Sequence, residues 1–279
     1  MLEQSFIHIK GIGGKVEKLL WENNINDWNK FLKSKEIPLS KSKIELLNQK
    51  IIKSKTHFKN KNISFFSNGL PINEHWRLFK NFKSSTAYLD IETTGLYPSD
   101  SEITTIALYD GINVKTYVNG KNLGDFKIDI LDYNLLVTYN GKSFDIPFIE
   151  KFFNISLTHS HIDLRYVLNN LGYSGGLKSC EKQFGLSRNN IEGIDGFFAI
   201  YLWEEYINNK NDKALETLLA YNIEDVVNLE YLMHKAYNLK LIGTPFENNL
   251  EMLVPVRPIV NYEPHMKTIK KIKRNFYDF

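Results

Sequence analysis

The chain has 279 residues, 43% of them hydrophobic and 13% aromatic, with 35 basic against 32 acidic side chains, which is enough apolar material for one sizeable core and a small additional domain. Its one cysteine, Cys180, excludes an intramolecular disulfide and a multi-cysteine zinc site and suits a reducing, intracellular setting. No uninterrupted apolar run of about 18 residues occurs, and the first residues do not place a long apolar stretch behind a basic one, so no membrane partner is expected and the expected location is cytoplasmic.

Charge is segregated along the sequence. Residues 1–63 hold 13 lysines and 6 acids, residues 266–279 hold 5 basic residues and one acid, and the stretch between holds 17 basic and 25 acidic residues. An acidic middle with basic ends fits a cation-binding centre joined to segments that hold a polyanion; it equally fits two solvated lysine-rich surfaces.

Residues 1–62 are expected to form a small helical domain. In GGKVEKLLWENN, Val16, Leu19 and Leu20 recur at helical spacing, and INDWNKFLKS starts a second helix near Asn26 or Asp27. Residues 63–84 carry the turn signal Asn68-Gly69 and then Pro71 before a short amphipathic segment, which predicts a connection. From residue 85 the periodicity changes. STAYLDIETT, EITTIALYD and NVKTYVNG are rich in β-branched and aromatic residues and are separated by short turns, predicting an antiparallel meander of three strands. YNLLVTYNG predicts a further buried strand, and SFDIPFIEKFF a loop turning into a helix. Helices are expected around 164–171, 176–185, 195–208 and 213–238, with glycine-rich breaks at GYSGG and EGIDG. The predicted class is α/β, a mixed sheet flanked by helices over residues 85–240, followed by a C-terminal extension, 241–279, with a basic tail.

Chemistry concentrates in a few acids. In YLDIETTGL, Asp90 and Glu92 stand two apart on a strand and share a face, with Leu89 and Ile91 on the other. Two carboxylates about 4 Å apart repel by roughly 4 kcal/mol at an effective dielectric of about 20. A hard divalent cation, Mg²⁺ or Mn²⁺, offsets that repulsion. Taken alone, the pair also fits two solvated acids at a sheet edge. Asp145 follows the buried strand at a strand-to-helix junction. Tyr221 and Asp225 are four apart on one helix face, beside the apolar Leu218, Val226 and Leu229. Each has a structural alternative: Asp145 as a helix N-cap, Asp225 as a surface acid and Tyr221 as a packing aromatic.

As an ordered set, DIETTGL, NGKSFDIPF and YNIED resemble the three motifs of DEDD-superfamily 3′–5′ exonucleases in their DEDDy form, with tyrosine four residues before the last aspartate. The second motif is similar to those of family B DNA polymerase proofreading domains and of the YprB-type RNase H-like nucleases, and the chain length favours the latter. The resemblance covers about residues 85–240. It implies an RNase H-like fold, two divalent metal ions held by Asp90, Glu92, Asp145 and Asp225, and Tyr221 orienting the attacking water. DNA or RNA would be the substrate. The competing expectation is a catalytically inactive nucleic-acid-binding protein on the same scaffold; a scaffold serving another protein is a third.

Other residues carry weaker signals. In HSHIDLRYVL, Asp163 reads as the N-cap of the helix from Leu164 or as a support near the metals, and His161 as a ligand or a structural histidine. Lys178, Lys182 and Arg188 are candidates for phosphate contact or for a solvated helix face. The segment IKGIGGKVEKLLWENNINDWNKFL resembles the hairpin half of a helix-hairpin-helix module. There Gly11 and Gly13 would turn the chain toward a phosphate, with Lys15 and Lys18 adding charge. It departs from that pattern because no full helix fits before Gly11, and a purely structural hairpin is the alternative. The C-terminal MKTIKKIKRNFYDF reads as a basic helix on nucleic acid or as a disordered tail.

Overall fold

The computed structural model describes residues 1–188, 195–258, 260 and 262–277. The first helices are α1 (Gly14–Glu22), α2 (Trp28–Lys33), α3 (Lys41–Lys59), α4 (Ile63–Ser67) and α5 (Phe79–Phe82). They lead into β1 (Thr86–Thr93), β2 (Ile103–Tyr109) and β3 (Val114–Val118). There follow α6 (Phe126–Asp129), β4 (Leu135–Thr138), α7 (Asp145–Phe153), β5 (Ser160–Asp163), α8 (Leu164–Asn170), α9 (Leu177–Gln183), α10 (Gly196–Asn209), α11 (Asp212–Leu241), α12 (Glu247–Leu250) and α13 (Met266–Tyr277). Among the described residues no helix is long and apolar enough to cross a membrane.

The five strands form one mixed sheet in the order β3-β2-β1-β4-β5. β1, β2 and β3 are the expected antiparallel meander, while β4 and β5 add in parallel on the other side. Strand alternation divides the core. Ala87, Leu89 and Ile91 point to one face and pack with Phe126, Phe148 and Ile149. Tyr88 points to the other, where it meets α8 and the 30-residue α11. Asp90 and Glu92 share the parity of Tyr88 and so lie on the α11 face.

Three features add to the sequence reading. β5 was not expected: four residues, three of them polar, become a strand because they pair in parallel with β4 and because His161 Nε2 lies 2.8 Å from Thr138 Oγ1. His161 is thereby a structural histidine, held neutral because burial pushes its pKa down to about 3. Asp145 is the first residue of α7, whose N-cap position is Phe144, so it does not serve as the cap. Residues 63–82 are largely helical, and Phe66, Trp76, Leu78 and Phe79 there belong to the same buried cluster as Phe6, Leu20, Trp28 and Tyr237. Of the breaks, EGIDG lies mostly outside the described residues.

The N-terminal helices are tied to that segment by one buried ion pair. Arg77 contacts Glu17 at 2.9 Å and Glu74 at 2.8 Å and donates to Ser5 Oγ at 2.9 Å, while Glu17 also accepts from Phe6 N at 2.7 Å. Removing one partner of such a pair strands the other charge. Arg77→Met is therefore expected to cost about 3–5 kcal/mol, read as a lower urea midpoint, and adding Glu17→Gln is expected to recover part of it. A loss within about 0.5 kcal/mol would contradict this role.

The candidate hairpin turns at Gly11, whose φ of +94° favours glycine, and Gly13 occupies the N-cap position of α1. Lys15 and Lys18 are exposed on that helix, Lys18 lying 3.8 Å from Glu22. The basic C-terminal segment is helical over 266–277. Ile269 and Ile272 anchor it in the core, and Lys271 Nζ reaches Glu205 at 2.7 Å.

Candidate active site

The sheet order creates the site. β1 pairs with β4 only over Thr86–Tyr88, so the C-terminal half of β1 runs on beyond the end of β4. A crevice at the carboxyl ends of parallel strands is where α/β sheets bind ligands. Asp90 and Glu92 project from β1 into it, Asp145 enters from the start of α7, and Tyr221 and Asp225 come from consecutive turns of α11. All five line one cleft of about 620 Å³, whose apolar walls include Leu96, Phe144 and Phe197.

Oxygens of Asp90, Glu92 and Asp225 lie within 4.8 Å of one another. At that spacing each ionised pair repels by roughly 3 kcal/mol at an effective dielectric of about 20. Burial holds the Asp90 and Glu92 acids well above the usual carboxylate range. The nearby Asp225 and Asp145 push both further, and Glu92 does the same to Asp90. Burial likewise pushes Asp145 up to about 7 and raises Asp225. Asp145 is turned partly aside, its Oδ1 accepting from Ile91 N at 3.3 Å.

Neighbouring groups fix these acids. Asn222, fully buried on α11, donates from Nδ2 to Asp90 Oδ2 at 2.7 Å and accepts from Thr105 Oγ1 at 3.0 Å. Arg188 forms an ion pair with Asp225 and is gripped in turn by Glu181, which its Nε reaches at 2.5 Å; Asn228 Nδ2 supports Glu181 at 2.9 Å. The Arg188 guanidinium meets Asp225 at Oδ1, so that buried oxygen already faces a positive charge. The all-oxygen donor set of Asp90, Glu92 and Asp225 fits a hard divalent cation. Tyr221 is buried against these acids, its pKa pushed far up by desolvation and then by Asp225, so its phenol stays protonated. Lys178 Nζ lies 4.7 Å from the Tyr221 ring centroid.

The fold thus gathers Asp90, Glu92, Asp145, Tyr221 and Asp225, with Lys178 and Arg188 beside them. Arg188 is buried in ion pairs and is not part of a solvated helix face; Lys182 is exposed on α9. Gly11, Gly13, Lys15 and Lys18 are absent from the cleft lining. Asp163 caps α8 through Arg165 N and also accepts from Asn140 N at 2.8 Å and Lys142 N at 3.0 Å. Sequence reasoning missed Asn222 and Glu181. Asn222 sits three residues before Asp225 on the same helix face, a spacing that could have found it; Glu181 offers no comparable signal.

A family model described as the RNase H superfamily matches residues 87–237. Among solved structures, the family B DNA polymerase from Pyrobaculum calidifontis is similar at 15% identity with a TM-score of 0.43, over 56% of this chain and 24% of the polymerase. Brucella melitensis NrnC with bound Mg²⁺ is similar at 14% identity with a TM-score of 0.32, over 63% of this chain and 94% of that one. NrnC bound to pGG gives 15% identity and a TM-score of 0.33, over 59% and 89%. The chain spans about a quarter of the length of the polymerase. No curated protein matches it.

Proposed function

The chain belongs to the RNase H superfamily, and from that premise we propose that it is a metal-dependent nuclease, a 3′–5′ exonuclease of the DEDDy kind acting on DNA or RNA. The observation that carries the reading is the convergence of Asp90, Glu92 and Asp225, with oxygens within 4.8 Å of one another, in a cleft also lined by Asp145 and Tyr221. The polarity follows from the likeness of the three motifs to those exonucleases.

Two divalent cations, Mg²⁺ or Mn²⁺, held by Asp90, Glu92, Asp145 and Asp225, would supply charge for the phosphodiester and lower the pKa of an attacking water. The chain's own part is positioning. Asn222 fixes the Asp90 carboxylate, and Glu181 with Arg188 fixes Asp225. Tyr221, protonated at any working pH, orients water through its hydroxyl and does not serve as a base. Lys178 adds positive charge at the edge of the acids.

Arg188 also acts as a standing counter-ion, because its charge repels any cation arriving at Asp225. Arg188→Gln is expected to bind Mn²⁺ at least about tenfold more tightly, a change of about 1.4 kcal/mol. Titration calorimetry on the folded variant reads this, and weaker binding would contradict it.

The reading itself is tested with labelled single strands and duplexes of DNA and RNA, incubated with Mg²⁺ or Mn²⁺ beside Asp90→Ala. Cleavage is expected in wild type only. Absence of metal-dependent cleavage from every wild-type reaction would sink the nuclease reading, and unchanged cleavage in the variant would sink the site.

A further inference from the structure

The catalytic cleft does not end at its acids. Tyr139 and Asn140, which form one of its walls, also line a second compartment of about 460 Å³, bounded on its far side by Arg165 and by Ser174, Gly175 and Gly176. The two spaces adjoin across Tyr139 and Asn140 but have opposite chemistry. Asp90, Glu92, Asp145, Asp195 and Asp225 line the first, whereas Arg165 is the one charged side chain among the described residues lining the second.

The second compartment is built on a fixed platform. Asp163 accepts from Asn140 N and Lys142 N and, as the N-cap of α8, from Arg165 N, so a single carboxylate ties the Tyr139–Asn140 turn to the helix that carries Arg165. Asn140 adopts a φ of +66°, and its Oδ1 accepts from Arg165 Nη1 at 2.5 Å, which aims the guanidinium at the boundary between the compartments. On the opposite side Gly175 holds φ +100°, a backbone conformation that residues with side chains rarely adopt, and a Cβ there would press on Ser179 Oγ at 2.7 Å. Gly175 and Gly176 thus line the space without side chains, opposite a permanently charged fork of donors.

We propose that this compartment is a phosphate subsite for the strand whose end lies in the catalytic cleft, with Arg165 binding a phosphodiester remote from the one being cut. This rests on the nuclease reading for its substrate class. An acidic compartment accepts phosphate only with cations present, whereas the neighbouring cationic one accepts it directly, so a continuous polyanion matches the sequence of charges along the groove. The substrate is then a strand long enough to reach both compartments, and a dinucleotide forfeits the second contact.

The test compares wild type, Arg165→Gln and Arg165→Lys on a dinucleotide and on a single strand of about ten nucleotides, within the span that single-strand grooves hold. Wild type is expected to prefer the longer strand in kcat/KM. Arg165→Gln is expected to reduce that preference by about tenfold and to lower the slope of log affinity against log salt for the strand by about one, while Arg165→Lys retains most of both. Strand binding is also measured by fluorescence anisotropy in EDTA, where no cleavage occurs. Equal binding and salt slopes in wild type and Arg165→Gln overturn the subsite. Arg165-dependent binding without cleavage of any substrate by wild type supports the subsite and overturns the nuclease reading alone.

Discussion

Asp90→Asn is expected to reduce metal-dependent cleavage by on the order of 10³-fold, comparable to the loss of a key electrostatic group from other active sites, and at the same time to stabilise the metal-free protein at neutral pH. The two effects have one cause. An amide replaces the carboxylate almost isosterically, keeps an oxygen for the hydrogen bond from Asn222 Nδ2, and removes the charge that a hard cation needs. It also removes a half-buried acid whose ionisation is opposed by desolvation and by Asp225, Asp145 and Glu92. Activity assays with Mg²⁺ or Mn²⁺, paired with thermal unfolding in EDTA, read both. A variant that loses activity and stability together would make Asp90 a packing residue. One that keeps its activity would remove it from the site.

Much of this site could be read along the sequence because its spacings are local. Asp90 and Glu92 share a face by the two-residue period of a strand, and Tyr221 and Asp225 share one by the helical period. Period and turn signals likewise gave the meander of β1, β2 and β3 and the long α11. The contacts that fix the acids are not local. Thr105 orients Asn222 from 117 residues away, and Glu181 grips Arg188 from a different helix than the one carrying Asp225. β5 was hidden for a similar reason, since its four residues gain their strand conformation from pairing with β4 rather than from any alternation of their own. Residues 63–82 were hidden by geometry. Their buried aromatics are spread over short α and 3₁₀ turns, so no single period runs through Phe66, Trp76 and Phe79.

The acids and the histidines set opposite pH dependences, which a substitution can separate. Asp145 has a folded pKa of about 7 against an ordinary 3.8, so its contribution to stability is fully present below pH 3.8 and is lost as pH rises through 7. Asp145→Asn cannot ionise. Its stability relative to wild type is therefore expected to grow by on the order of 1.4 kcal/mol per pH unit between about pH 4 and 7, and to stay level above. His8 and His234, each lowered to about 4 by burial, run the other way: their stability is present above pH 6.5 and lost as pH falls toward 4. Those histidines are unchanged by the substitution and cancel in the difference. Above pH 6.5 they no longer titrate, so wild type is expected to go on losing stability there because Asp90 and Glu92, raised well above the ordinary range, are still giving up protons. Urea unfolding in EDTA from pH 4 to 8.5 measures both slopes. Adding Mn²⁺ at pH 8 is expected to restore wild type more than Asp145→Asn, because the cation offsets a charge that the variant lacks. A pH-independent difference between the two proteins would mean that Asp145 is already ionised in the folded chain at low pH, and would remove the electrostatic reason for a cation beside it.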